Sequence, residues 1–336
     1  MIINNNKLYV YKREKKMRSF LRFNPALCSV NLGDHIIVDS ILKQMDFLFA
    51  DNYCVDVSSH QPVSFMFTHR VLVGKEMSFV LGSNLLQGRL NSVYRQWKIH
   101  LFNAKLLGPT VLIGVGWRQY NEPPNLYTRS VYRKILSHTY MHSVRDSYTE
   151  SMMRKMGFDN VINTGCATMW FLTPDFCEKI PTQKGRDVVF TITDYLKDYE
   201  KDKKMISILL NNYENVYAWM QGMDDYKYYK ELVEDEKRIK LVQPTLEAYD
   251  KFLNENESVD YVGTRLHGGI RALQHKKRTV ILGIDNRATE KKKDFNLPVM
   301  DRSEIHNLTD IINTPFITDI KIPLENINKW KEQFKK

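Results

Sequence analysis

A chain of 336 residues with 43% apolar and 26% charged side chains is too long for one small core and too apolar for a disordered polymer, so it folds throughout and has room for two domains. Its formal charge of +10, from 49 Lys and Arg against 39 Asp and Glu, favours an anionic partner without choosing among nucleic acid, phospholipid headgroups and phosphorylated metabolites. No apolar run reaches the roughly 18 residues of a membrane span and the N-terminal stretch lacks the apolar core of a signal peptide, so a cytoplasmic protein is expected.

Short runs rich in Val, Ile and Phe alternate with helical-period stretches from end to end, the pattern of a mostly parallel sheet flanked by helices, and the fold class is therefore α/β. The basic run Lys12, Arg13, Lys15, Lys16 and Arg18 precedes the first strand, 20–24, and reads as a solvated segment or a contact with an anionic surface. Next comes Asn31-Leu-Gly-Asp34-His35, a turn leading into a helix with Ile37, Ile41 and Met45 on one face. Gly33 supplies the turn and Asp34 the helix start, and a plain capped turn explains this block as well as a functional site does. Strands follow at 78–81 and 110–115. The Gly114-Val-Gly116 pair lacks the third glycine of a dinucleotide fingerprint and no Gly-Lys-Ser or Gly-Lys-Thr loop exists, which disfavours nicotinamide and P-loop chemistry.

His138 and His142 stand four apart, but no zincin glutamate or third ligand accompanies them. The cysteines, Cys28, Cys54, Cys166 and Cys177, form no close pairs, so reduced thiols and no metal are expected. A strand at 142–144 runs through Ser143-Val-Arg-Asp-Ser-Tyr-Thr149 into a helix that ends near Gly157. Asp146 or Ser147 caps that helix, and Arg145 sits just before it. The stretch 173–186, with Pro174, Pro181 and Gly185, breaks the alternation and marks a boundary near 180, giving domains at 1–180 and 181–336.

The second half has strands near 188, 206, 215, 239, 261 and 279, separated by helical segments at 224–236 and 246–254, a doubly wound order. Its sharpest feature is Tyr261-Val-Gly-Thr-Arg-Leu-His-Gly-Gly-Ile270, where a strand ends at Gly263 and a helix begins. Arg265 and His267 then stand at a helix N-terminus, where unpaired N–H groups and about half a positive charge favour an anion, and Gly268 and Gly269 allow a ligand to approach closely. The other reading pairs Arg265 with a neighbouring carboxylate and leaves His267 to cap or pack. The last stretch, 323–336, has the spacing of an amphipathic helix, assigned to the second domain, that packs on the body or rests on a membrane. Tyr226-Lys-Tyr-Tyr-Lys230 is the one faint sign of a nucleic-acid surface, and a solvated helix face explains it as well.

Taken in order, Asn31-Leu-Gly-Asp34, Ser143-Val-Arg-Asp146 and Gly263-Thr-Arg-Leu-His-Gly268 resemble the polysaccharide pyruvyltransferase family. Ile162-Asn-Thr-Gly-Cys-Ala-Thr-Met-Trp170 departs from the Pro or Asp-Pro segment of many members, and Cys166 marks that departure. The resemblance implies two Rossmann-like domains facing a cleft, as in glycosyltransferases of the B type. It also implies phosphoenolpyruvate as donor substrate, no separate cofactor, and an oligosaccharide acceptor, free or lipid-linked, on the way to capsule or exopolysaccharide. By resemblance Arg145, Arg265 and His267 hold the donor.

The donor carries about three negative charges, which two bidentate guanidiniums and a helix start can meet. His267 is the best proton donor in the chain, because a nearby phosphate favours its charged form. Across the cleft, Asp34 is the candidate base for the sugar hydroxyl or, with Asn31, binds the acceptor. The alternative of the same shape is a glycosyltransferase using a nucleotide sugar. The expected place of work is the cytoplasm, including the inner face of the cell membrane.

Overall fold

The computed structural model describes residues 17–64, 72, 74–120, 122–233 and 237–335. Its first sheet has the order β2-β1-β3-β4, all parallel, with β1 at Ser19–Asn24, β2 at Tyr53–Ser58, β3 at Met77–Leu81 and β4 at Thr110–Ile113. Parallel bridges Thr110–Leu136 and Val115–Val144 carry it on to the pair β5 (His142–Val144) and β6 (Val161–Asn163). Period-two alternation sorts the side chains. Phe20, Phe79, Leu81, Val111 and Ile113 enter one core cluster, and Leu21, Phe23, Val80 and Leu112 enter another on the opposite face.

The second sheet contains β7 (Asp187–Thr191), β8 (Asn215–Trp219), β9 (Ile239–Val242), β10 (Val259–Gly263), β11 (Thr279–Gly283) and β12 (Val299–Asp301). Their order is β12-β11-β10-β7-β8-β9, all parallel. Every residue of β7 and β10 is buried, as sheets covered by helices on both faces require. Counted from β7 this is the doubly wound order 3-2-1-4-5-6. The chain therefore switches direction between β7 and β10, and a crevice opens beyond their carboxyl ends.

Three differences from the sequence reading have plain causes. The apolar run near 206 is not a strand but the inner face of the helix Tyr199–Asn212, which buries Met205, Ile206 and Leu209; a short apolar run alone cannot tell the two apart, and the charged residues before it supply helical length. The strands β2, β6 and β12 are not evident in the sequence, because each lies at a sheet edge and is incompletely buried, and β6 and β12 are only three residues long. The terminal helix Leu324–Glu332 belongs by packing to the first sheet, not the second. Ile327, Trp330 and Phe334 bury themselves in its core, with Trp330 tilted on Trp170 at 5.8 Å and Phe334 edge-on to Phe79 at 5.6 Å.

Those three side chains contribute roughly 1.5–3 kcal/mol each, so the helix serves as a strap from the end of the second domain to the first. Lys12, Arg13, Lys15 and Lys16 lie outside the described residues, as do 234–236; Arg18 pairs with Glu76. In the Tyr226–Lys230 segment Tyr228 and Tyr229 are buried in the core, and of its aromatics only Tyr226 is exposed. No helix among the described residues is long and apolar enough to cross a membrane.

Candidate active site

The two sheets face each other across a cleft of about 720 Å³, within the usual size of a ligand site. Asn31, Asp34, Ser83 and Arg118 line it from the first domain, and Tyr195, Asp285 and Arg287 from the second. Asn31, rather than Asp34, caps the helix Leu32–Gln44, accepting from Gly33 N. It also accepts from Gln221 Nε2 at 3.0 Å, while Leu32 N donates to Gln221 O at 2.9 Å, so this turn is clasped to the second domain. Asp34 stands in the first turn and is held by two hydroxyls, Ser29 Oγ at 2.8 Å and Ser83 Oγ at 3.0 Å.

Arg145 lies at the end of β5, 3% exposed, where its Nε donates to Asp146 Oδ2 at 2.8 Å and its Nη2 to Trp117 O at 3.2 Å. The guanidinium crosses Gly116 so closely that a Cβ there would stand 2.1 Å from Arg145 Nε. This is the reason for Gly116 that the missing fingerprint left open. Asp146 caps the helix Ser147–Lys155 through Thr149 N and is held below the usual carboxylate range, with burial opposing and Arg145 driving the shift. Asp294 reaches across from the second domain to accept from Ser147 N at 2.6 Å and Ser147 Oγ at 2.8 Å. The start of this helix is thus already filled by protein carboxylates. Arg145 itself is buried behind the cleft wall and is not one of its lining residues.

Arg265 sits at the switch point as the N-cap of the helix Leu266–Gln274, as the sequence indicates, but its guanidinium is engaged. Nε donates to Asp225 Oδ2 at 2.9 Å and Ile192 O at 3.2 Å; Nη2 donates to Asp194 Oδ1 at 2.7 Å and to Asp225 Oδ1. The carboxylate pairing is the reading the structure selects. Asp225 also accepts from Gly222 N at 2.7 Å, so Arg265 fixes the loop that clasps Asn31. Gly268 and Gly269 are closely packed: a Cβ on Gly269 would lie 2.6 Å from Ile281, and one on Gly268 3.2 Å from Gln221 Oε1 and Tyr261 Oη.

His267 is 7% exposed, 3.9 Å from Cys166 Sγ through Nε2. Burial first, then the charges of Lys291, Arg287 and Arg145, push it well below the ordinary histidine pKa. The charge of Arg145 thus reaches His267, as do those of two cations that sequence reasoning passed over, Arg287 and Lys291. Arg287 pairs with Asp285 and donates to Tyr195 Oη, and its guanidinium and that of Arg265 lie 5.7 and 5.1 Å from the Tyr195 ring centre. Arg287 also holds Asp285 down at about 2 against the effect of burial.

Lys291, 1% exposed, has no hydrogen-bond partner at Nζ, and burial followed by Arg145 lowers it to about 8. Both new cations come from the helix Asn286–Phe295, which follows β11 and is capped by Asp285. The signal was available, because a strand of the same sheet again ends in a helix start, at Asp285-Asn-Arg287. Three cations and an imidazole about one buried spot can hold a small multiply charged anion and deliver a proton to it.

A family model described as polysaccharide pyruvyl transferase matches residues 31–286. The chain belongs to that family. As a polysaccharide pyruvyl transferase family member it is a transferase of polysaccharide modification, and the matched span takes in all three sequence blocks. No curated protein matches it. Among solved structures it is similar to Staphylococcus aureus MnaA in a UDP co-structure, at 11% identity and a TM-score of 0.52, covering 94% of each chain. It is also similar to UDP-GlcNAc 2-epimerase from Neisseria meningitidis bound to UDP-GlcNAc, at 14% identity and a TM-score of 0.50, covering 95% of this chain and 99% of that one. These likenesses concern the fold: two Rossmann-like domains about a cleft, the glycosyltransferase-B arrangement.

Proposed function

We propose that this family member transfers the enolpyruvyl carbons of phosphoenolpyruvate to a sugar of a surface-glycan precursor in the cytoplasm, forming a pyruvate ketal and releasing phosphate. The observation that carries the reading is Lys291, a buried ammonium with no hydrogen-bond partner beside Arg145 and Arg287. A buried polar group normally has its partner, and a phosphate or carboxylate would supply one here. In this reading Arg145, Arg287 and Lys291 bind the donor, and Arg265 is a positioning residue that shapes the Gln221–Gly222 loop. Asn31 and Asp34 receive the acceptor on the first-domain wall.

The chemistry then balances as follows. C3 of the donor takes a proton while a sugar hydroxyl, losing its own proton to Asp34, adds to C2. The phosphate leaves with its bonding electrons, and a second hydroxyl of the acceptor adds to C2 and loses its proton, closing the ketal. His267 is the donor of the C3 proton. Burial and the surrounding cations hold it neutral, and the trianion reverses that field, so the bound substrate itself draws the proton onto the imidazole.

Thermal melting with candidate donors is the direct test. Phosphoenolpyruvate at a hundred times its dissociation constant should add about 2.7 kcal/mol of stability, and UDP or CMP sugars should add none. Stabilisation by a nucleotide sugar alone would replace this reading with glycosyl transfer.

A further inference from the structure

The first domain carries a concentration of positive charge of which the donor site uses only Arg145. Between Glu76 and Asp146 the sequence has nine Lys or Arg and a single acidic residue, Glu122, whereas the whole chain has 49 against 39. In the same stretch four apolar side chains project into water: Phe102 is 95% exposed, Leu126 83%, Val93 80% and Tyr94 79%. A single exposed apolar residue needs no explanation, but these are gathered at one corner. Asn125 Nδ2 donates to Asn91 Oδ1 at 2.8 Å and Leu101 N to Tyr127 Oη at 3.4 Å, tying the loop of Val93 and Tyr94 to the first turns of the helices Leu101–Leu107 and Leu126–Ile135.

Both helices bury their inner residues, Ala104 and Leu107 on one and Val131 and Ile135 on the other, in the same core cluster. The two helices pack against each other, and their outer faces expose Phe102 and Lys105 on one and Leu126 and Arg133 on the other. A helix that follows a parallel strand starts at that strand's carboxyl end, which is the edge where the cleft opens. Arg118, a lining residue of the cleft, accordingly donates to Tyr94 O.

We propose that this corner docks on an anionic bilayer, with Tyr94, Phe102 and Leu126 entering the headgroup region and Lys105, Arg133 and Lys134 pairing with lipid phosphates. Separated apolar tips in a field of lysine and arginine suit an interface of this kind, whereas the core of a protein interface is depleted in lysine. The surface stands without the donor assignment. Only its corollary, that the acceptor sugar arrives on a lipid carrier at the cleft mouth, rests on the proposed pyruvyl transfer.

The test is sedimentation of the full chain with vesicles of phosphatidylcholine alone or mixed with phosphatidylglycerol, without donor or acceptor, so that failure of the pyruvyl-transfer reading leaves the outcome intact. Binding should require phosphatidylglycerol and weaken with salt. Lys105→Gln, Arg133→Gln and Lys134→Gln together should lower affinity on the order of a hundredfold, at about fivefold per basic residue. Phe102→Ser with Leu126→Ser should lower it about tenfold or more. All these positions are exposed, and the variants should melt like the parent.

Three results would overturn the proposal. One is equal binding to both vesicle types or to neither. Another is an equal loss from Lys230→Gln, Lys237→Gln and Lys251→Gln on the second domain. The third is a parent dimer in light scattering that Phe102→Ser with Leu126→Ser converts to monomer while vesicle binding is absent.

Discussion

Replacing Lys291 with methionine should stabilise the empty protein and remove its response to the donor. The amine is buried and held at about 8, chiefly by burial and next by Arg145, whereas in an unfolded chain it titrates at about 10.4. A gap of about 2.5 pH units at about 1.36 kcal/mol each amounts to roughly 3 kcal/mol. The folded pKa is the depressed one, so the unfolded state holds the proton more tightly. Stability from this group is complete above about pH 10.4 and is lost as the pH falls to about 8.

Methionine keeps the unbranched stem with no charge to desolvate. The variant should therefore gain up to roughly 3 kcal/mol at neutral pH and lose one step in its climb in alkali. Urea unfolding at neutral and alkaline pH, with and without phosphoenolpyruvate, reads both effects. The difference between parent and variant isolates Lys291, because burial also holds Lys75 and Lys331 at about 8. A variant less stable than the parent when empty, or one that keeps the full donor-induced stabilisation, would refute the reasoning.

His267→Gln should fold normally and release phosphate from phosphoenolpyruvate at least about a hundredfold more slowly, the scale of a lost proton donor. Because the empty-site imidazole is neutral and the trianion favours its charged form, donor binding should take up a proton and tighten as the pH falls; calorimetry in buffers of different ionisation enthalpy should see this uptake vanish in the variant. Gly116→Ala places a methyl 2.1 Å from Arg145 Nε, so the guanidinium must move and donor affinity should fall about tenfold or more, read by titration. Asp294→Ala removes the carboxylate at the start of the Ser147 helix and should cost about 0.5–2 kcal/mol in chemical denaturation, with the donor's own stabilising increment retained.

The α/β class and the two strand-to-helix turns at Arg145 and Arg265 were legible because buried parallel strands are continuous apolar runs and caps have fixed residue types. The partners of Arg265 were not legible. Asp194 and Asp225 lie 71 and 40 positions away, and no local pattern reports which carboxylate a distant turn will deliver. Lys291 was hidden for the opposite reason. It belongs to Asn286-Arg-Ala-Thr-Glu-Lys-Lys-Lys-Asp-Phe295, where a run of charges reads as a solvated face, and only the docking of that helix between the domains buries one lysine among its exposed neighbours.

That helix also explains how a cluster of like charges is tolerated. Residues 287 and 291 form one i, i+4 stripe, and 290 and 294 form the adjacent one on the same side. The first stripe presents Arg287 and Lys291 to His267 and to Arg145 of the opposite domain. On the second, Glu290 accepts from Tyr120 Oη and Asp294 accepts from Ser147, both contacts made to the first domain. The helix that gathers the cations, at a repulsive cost, therefore also carries the carboxylate contacts to the first domain that offset it. An anion seated between Arg145 and Lys291 would add attraction across the same gap, so the ligand and the interdomain contacts favour one closed arrangement. Closure and donor occupancy should then be linked with the same sign, each strengthening the other.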